Sequence, residues 1–261
     1  MNLEILFLSI IQGISEILPI SSSVNLYFFS KLWNTSSFCF GLKIALHIGS
    51  LITFIIYFKK EIGSIFAAIF TKKTRLSDTY FYALIIGTIP VVILGFLALN
   101  FVKEFDSKVA IGASCILFGC LLLACDKLSI ARARSGDKSK VPVWKAFIIG
   151  CFQAISIFPG VSRLGICISA SRMLHIDRKK SITFSMLLAI PSIFGSMILE
   201  IIDCNRRNNF SIFSLESLMG ILLTMIIGLI VIFPCVKYME KNGFTYLVIY
   251  RILIGFLMIL L

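Results

Sequence analysis

The sequence predicts an all-α integral membrane protein built as an inverted repeat, each half one re-entrant helical hairpin followed by three transmembrane helices. Three observations carry this. The chain is 58% hydrophobic and only 15% charged, with a mean hydropathy of +0.98, whereas a soluble domain averages ~45–50% apolar and ~25% charged residues. The apolar residues fall into long runs separated by basic loops, unlike the ~10-residue alternating segments of an outer-membrane barrel. Two of the apolar regions carry a polar interruption of similar composition, Gln12–Asn25 and Gln153–Arg163 in outline.

The first interruption reads Gln12-Gly13-Ile14-Ser15-Glu16-Ile17-Leu18-Pro19-Ile20-Ser21-Ser22-Ser23-Val24-Asn25. Residues 3–11 before it are too few to span, since a crossing helix needs ~20 apolar residues. Pro19 disfavours helix at Leu18 and breaks it, and apolar character resumes at 26–33. Two short helices with a polar turn read as a re-entrant hairpin, against the alternative of one kinked span. Glu4 precedes the apolar stretch and no basic n-region does, so the segment is expected to remain in the mature protein.

Spans follow at 42–58, 80–101 and 109–125, with a basic loop at 59–79 that has room for an interfacial helix near 62–70. The segment 126–145 is polar and loop-like. Residues 146–174 form the second hairpin, and 181–202, 215–236 and 244–261 are further spans. The chain is thus one polytopic membrane domain, with repeat one at about 1–125, the basic loop at 126–145 and repeat two at about 146–261.

The repeat has local echoes. Ile11-Gln12-Gly13-Ile14-Ser15 matches Phe152-Gln153-Ala154-Ile155-Ser156, and each copy reaches a proline (Pro19, Pro159) with a serine just beyond (Ser21, Ser162). Downstream, Gly87-Thr88-Ile89-Pro90 before Gly95 is echoed by Leu188-Ala189-Ile190-Pro191 before Gly195. Three spans per half invert the second copy, a design known for holding polar ligands inside membranes. If both hairpins re-enter, loops on one side carry 17 Lys and Arg and those on the other carry 5. If 146–174 crossed once, the split would fall to 13 against 9. The positive-inside rule favours the hairpins and places both termini outside the cytoplasm.

The net charge of +12 does not indicate nucleic acid, because the basic residues sit in the loops between apolar runs. The eight cysteines show no C-x-x-C pair and no zinc-type spacing with histidine, so they read as small buried hydrophobes.

Phe158-Pro159-Gly160-Val161-Ser162-Arg163 has anion-binding chemistry. Pro-Gly turns the chain, Ser162 and Arg163 open the returning helix, and free N–H groups with the helix dipole favour an anion. Arg163 supplies a planar cation suited to phosphate; the competing reading has it snorkel at the interface. Gln12 and Glu16 lie one helical turn apart. Glu16 suits either a divalent cation or acid–base work, with Gln12 as a neutral oxygen ligand. Ser21, Ser22 and Ser23 offer a nucleophile and phosphate contacts, and at least one of them suits a helix cap. Where the tips meet, this set fits a phosphorylated lipid. His47 either lines that site or bonds within the bundle, His175 reads as solvated, and Lys43, Glu200 and Asp203 read as snorkelling span ends.

At these residues the chain resembles the undecaprenyl-diphosphate phosphatase family, also called bacitracin-resistance proteins. Gln12, Glu16, Leu18, Pro19, Ser21, Ser22 and Ser23 meet its first motif; Pro159, Gly160, Ser162 and Arg163 meet its second. Phe184-Ser185 with Leu188-Ala189-Ile190-Pro191 is also similar. The resemblance implies a multi-pass phosphatase of the bacterial inner membrane. It would cleave undecaprenyl diphosphate with a divalent cation, Mg²⁺ or Ca²⁺, in a site open to the periplasm, recycling the carrier lipid of cell-wall synthesis. It implies catalytic roles for Glu16, Ser22 (the leading nucleophile), Ser21, Ser162 and Arg163. Substrate contacts would come from Ser23, Asn25, Gly160 and Arg163, and metal binding from Gln12 and Glu16. The partner is a polyprenyl diphosphate lipid, and a homodimer is a compatible assembly. Two departures stand out. Val24-Asn25 replaces the family's Gly-His, so an acid–base histidine is missing, and Leu164-Gly165-Ile166-Cys167 lacks two hydroxyls of the second motif. The competing readings are a polyprenyl-phosphate carrier or flippase and an inactive paralogue of the same fold.

Overall fold

A computed structural model describes residues 3–32, 40–70, 80–98, 107–130, 141–206 and 214–261. The described residues form helices and no strand: α1 (Leu3–Ser15), α2 (Ser22–Leu32), α3 (Phe40–Tyr57), α4 (Lys59–Phe70), α5 (Phe81–Ala98), α6 (Lys108–Ile130), α7 (Val143–Ala154), α8 (Arg163–Met173), α9 (Arg178–Arg206), α10 (Leu215–Asn242) and α11 (Thr245–Leu260). Parts of the expected loops at 59–79 and 126–145, and the turns near 103–108 and 203–209, lie outside the described residues.

The two polar interruptions each separate a pair of short helices. α1 and α2 have 13 and 11 residues, α7 and α8 have 12 and 11. At 1.5 Å per residue each is ~20 Å or less, short of the ~30 Å hydrocarbon core. The six expected spans correspond to α3, α5, α6, α9, α10 and α11. Three of these are long and apolar enough to cross unaided: Lys108–Ser129, Arg178–Ile202 and Leu215–Asn242. α3, α5 and α11 are shorter, at 18, 18 and 16 residues. α4 bends 72° away from α3 and exposes Phe66, Ile69 and Phe70 behind Lys59 and Lys60, as an interfacial helix does. It begins three residues earlier than the sequence suggested.

Close helix packing depends on missing side chains. A Cβ on Gly150 of α7 would lie 2.3 Å from the Gly87 carbonyl oxygen of α5, and one on Gly112 of α6 would lie 2.5 Å from the Gly255 carbonyl oxygen of α11. Between α3 and α10, Gly228 abuts Thr53 and Gly49 abuts Thr224. Small residues at such contacts let helix backbones approach where lipid supplies no hydrophobic drive. Part of the pairing is regular, although α8–α9 and α1–α3 have no counterpart among the stronger contacts. Exchanging α1, α2, α3, α5, α6 with α7, α8, α9, α10, α11 turns the α5–α7 contact into α10–α1, α3–α10 into α9–α5 and α6–α8 into α11–α2, all of which occur. The contacts α6–α11 and α3–α9 map onto themselves.

Among the described residues the outer helix faces carry many exposed apolar side chains. On α10, Leu218, Leu222, Ile226 and Ile230 recur every fourth residue and stay exposed, a stripe that water would penalise and hydrocarbon would not. The main core joins Phe54, Leu122, Ile168, Met186, Ile193 and Val248. Asp126 is buried and accepts from two arginines, Arg172 Nε at 3.0 Å and Arg178 Nη2 at 2.7 Å, tying α6 to α8 and α9. The cysteine expectation holds for Cys115, Cys125 and Cys167, which are buried and free; Cys120 and Cys151 are free but exposed on helix faces, a correction that follows from which face meets lipid.

Candidate active site

The first hairpin tip is the turn from Glu16 to Ile20. The second is the short turn Ile155–Ile157 followed by Phe158 to Val161. Each returning helix is preceded by a serine in left-handed backbone conformation: Ser21 at φ 67° before α2 and Ser162 at φ 63° before α8. Non-glycine residues rarely adopt this region, and such strain concentrates at functional sites. Ser162 caps α8 by accepting from the Gly165 N–H at 3.2 Å. Gly160 has φ 94°, and a Cβ there would sit 2.5 Å from the Ile111 carbonyl oxygen, so glycine alone fits.

The tips meet at a cavity of about 510 Å³, a size usual for small-ligand sites. Glu16, Ser21, Ser22, Ser23, Ser162 and Arg163 all line it. Glu16 is the hub. Its Oε2 accepts from Ser22 Oγ at 2.6 Å and from Gln12 Nε2 at 3.1 Å, and its Oε1 lies 3.6 Å from Arg163 Nη2. Ser21 and Ser23 share a hydroxyl–hydroxyl bond of 3.2 Å. Two buried atoms of this cluster have no hydrogen-bond partner among the described residues: Arg163 Nη1, a donor, and Gln12 Oε1, an acceptor. Gln12 is fully buried just behind Glu16, where its Nε2 also donates weakly to Ser50 Oγ at 3.4 Å.

Two expected substrate contacts are not placed at the cavity. Asn25 is 2% exposed; its Nδ2 donates to the Ile20 and Ser21 carbonyls at 3.1 and 2.9 Å, and its Oδ1 accepts from the Tyr250 hydroxyl. With donors and acceptor engaged, Asn25 supports the tip from behind. Gly160 likewise turns its carbonyl away, to Arg251. Neither residue lines the cavity; Asn25 has its side-chain groups engaged and Gly160 its carbonyl.

Other residues enter the wall unexpectedly. Lys43 of α3 and Glu200 of α9 both line the cavity and pair with each other at 2.7 Å, which replaces the snorkelling reading. His47 lines it too. Its Nδ1 is 2.9 Å from the Lys43 carbonyl oxygen; a carbonyl only accepts, so Nδ1 carries the proton and Nε2 is left for other partners. The wall's charged groups are Glu16, Glu200, Lys43 and Arg163, which sum to zero with His47 neutral. Leu18, Leu26, Ile157, Phe158, Leu164 and Leu199 supply the apolar part.

Arg251 of α11 belongs to no motif in the sequence. It is fully buried. Its Nη1 donates to the Pro19 carbonyl at 3.2 Å, its Nη2 to those of Gly160 and Val161 at 2.9 and 3.1 Å, and its Nε to that of Cys115 at 3.1 Å. An arginine deep in the last apolar run was the available signal, because intramembrane cations are costly and functional by default.

The family model for bacitracin resistance protein BacA matches residues 5–257. The chain is 35% identical over 242 residues to undecaprenyl-diphosphatase 4 of Bacillus thuringiensis subsp. konkukian, covering 92% of this chain and 90% of that protein. It is 34% identical over 260 residues to undecaprenyl-diphosphatase 3 of a Bacillus cereus strain, covering 99% and 96%. It is 33% identical over 257 residues to the undecaprenyl-diphosphatase of Alteromonas mediterranea, covering 97% and 95%. A match across nearly the whole chain, on a helical fold whose two polar tips share one cavity, establishes that this protein belongs to the bacitracin resistance protein BacA family.

Proposed function

We propose that this chain is a membrane phosphatase that hydrolyses undecaprenyl diphosphate to undecaprenyl phosphate and inorganic phosphate, returning the carrier lipid to cell-wall synthesis. The observation that carries the reading is the Glu16–Ser22–Arg163 cluster, with a 2.6 Å hydroxyl–carboxylate bond and a guanidinium on the opposite tip. Ser22 Oγ attacks the terminal phosphorus while Glu16 accepts its proton. The bond from that phosphorus to the bridging oxygen breaks, and undecaprenyl phosphate leaves. Water then releases phosphate from the serine, with Glu16 returning the proton to Ser22 Oγ. Arg163, with its unpartnered Nη1, and the N-terminus of α8 stabilise the charge on the transferring phosphoryl oxygens. Asn25 cannot titrate; His47 is the imidazole that lines the cavity and is the residue this reading assigns to proton transfer.

A divalent cation, Mg²⁺ or Ca²⁺, belongs to this reading. The wall's charges cancel, so an entering diphosphate brings uncompensated negative charge. The Glu16 carboxylate at the cavity wall would hold a hard cation, which prefers oxygen ligands, and Gln12 Oε1 stands in the layer behind it. When bound, the cation neutralises phosphoryl oxygens.

The inverted-repeat arrangement is part of the same proposal, supported by the subset of helix pairs that survives exchange of the halves. So are an inner-membrane location and a periplasmic site, supported by the 17-to-5 loop asymmetry. Single cysteines at positions 138 and 106 should react from the inside and the outside respectively; the reverse would overturn the orientation.

The direct test is phosphate release from C55 or C15 diphosphate by detergent-purified protein, with Mg²⁺, Ca²⁺ or chelator. Metal-dependent release that Arg163→Ala abolishes is expected. Absence of metal-dependent release, with no effect of Arg163→Ala, would sink the enzyme reading. Translocation of lipid in liposomes without hydrolysis would assign a carrier instead.

A further inference from the structure

Arg251 touches both hairpin tips at once. Among the described residues none of the ion pairs includes it, although it is fully buried. A buried cation without a carboxylate is costly, and here its compensation comes from four carbonyl oxygens on three separate pieces of chain. The guanidinium fork suits this: five N–H donors in one plane, aimed in different directions. Room is reserved for it on two sides. A Cβ on Gly165 of α8 would lie 3.0 Å from Nη1, and one on Gly119 of α6 would lie 3.3 Å from Nε.

The anchored carbonyls are placed tellingly. Pro19 stands midway between Glu16 and Ser22, and Val161 directly precedes Ser162 and Arg163. Each tip also holds a serine at positive φ close to its anchor, Ser21 and Ser162. Such backbone persists only where surrounding structure over-determines it, and the Arg251 bonds help do so on both tips.

We infer that Arg251 is a positioning residue that holds the Glu16–Ser22 half of the site in register with the Ser162–Arg163 half, acting through the backbone and never touching substrate. The inference rests on the phosphatase reading for its consequence in turnover, but its structural half does not. An ammonium at this place reaches fewer carbonyls than the guanidinium, so Arg251→Lys loosens the tips relative to each other. Misplacement of ~1 Å in an active site lowers rate ~100-fold.

The test is Arg251→Lys in the full-length protein, with two readouts: phosphate release from C15 diphosphate with Mg²⁺, and backbone hydrogen exchange. A fall in kcat of ~100-fold with KM within about threefold is expected. Exchange at 16–22 and 156–165 should rise together by ~10-fold while α10 keeps its protection. Arg172→Lys is the control, since Arg172 holds Asp126 and does not line the cavity; its kcat should match wild type. Wild-type kcat and exchange in Arg251→Lys would overturn the inference, as would exchange rising equally in every helix. If the wild-type chain releases no phosphate, the phosphatase reading fails, and the exchange pattern still decides the role of Arg251. Should Arg251→Lys fail to fold, Gly119→Ala, which pushes on the guanidinium from α6 without touching either tip, is read by the same outcomes.

Discussion

Arg163 Nη2 lies 3.6 Å from Glu16 Oε1, although the two residues belong to different hairpins in different halves of the chain. Among the described residues Arg163 Nη1 has no acceptor, and Gln12 Oε1 behind Glu16 has no donor. A ligand that brings anionic oxygens would satisfy Arg163, which lines the cavity; Gln12 stands behind that wall, fully buried.

Glu16→Gln tests the carboxylate. The amide keeps the shape but loses the charge that accepts the Ser22 proton and binds a cation. Loss of kcat of ~100-fold or more is expected, together with a Mg²⁺ titration shifted to much higher concentration. An unchanged titration removes Glu16 from the metal.

Arg163→Ala should lower kcat/KM by ~100- to 1,000-fold, the scale for removing a donor aimed at developing charge. Arg163→Lys should recover only part of this, because a point charge cannot donate in a planar fork. Steady-state kinetics on C15 diphosphate distinguish the two variants, and full recovery by lysine would argue against a bidentate phosphate contact.

His47→Ala addresses the missing family histidine. If His47 transfers protons from α3, the variant should lose ~100-fold in kcat, and added imidazole should restore part of the rate. No loss, or a loss that imidazole does not relieve, takes His47 out of the proton path.

Asn25→His introduces the histidine expected from the motif resemblance, yet it should not raise activity here. Asn25 spends two donor bonds on Ile20 and Ser21 and one acceptor on Tyr250, at 2% exposure. A histidine cannot match that set, and unsatisfied buried groups cost ~1–3 kcal/mol. Lower thermal stability with no gain in kcat is the expected result; a gain in kcat would mean position 25 reaches the cavity after all.

Much of this site is readable in one dimension because membrane insertion makes polarity informative. An acid, a glutamine and three serines inside an apolar run, with an echo at Gln153–Arg163 in the second half, have no reason to be there unless they face each other or water. Glu16, Ser21, Ser22, Ser23, Ser162 and Arg163 were found this way, and all six line one cavity. The same logic applied to Arg251 would have found it too; it stands alone in its run, without a motif around it. Lys43 and Glu200 were harder, because a charge near a span end can always reach the interface, and only the partner 2.7 Å away shows otherwise.

The periodic and compositional content of the chain was enough to specify helices, breaks and the two polar tips, since helix formation and hydrocarbon solubility depend on neighbours in sequence. Which faces meet is another matter. Asn25 turning to Tyr250 rather than into the cavity, and the Arg251 guanidinium gathering carbonyls from Pro19, Cys115, Gly160 and Val161, depend on helix rotation and approach. Those are decided by packing at contacts such as Gly87 with Gly150 and Gly112 with Gly255, between residues far apart along the chain, and only the folded molecule brings them together.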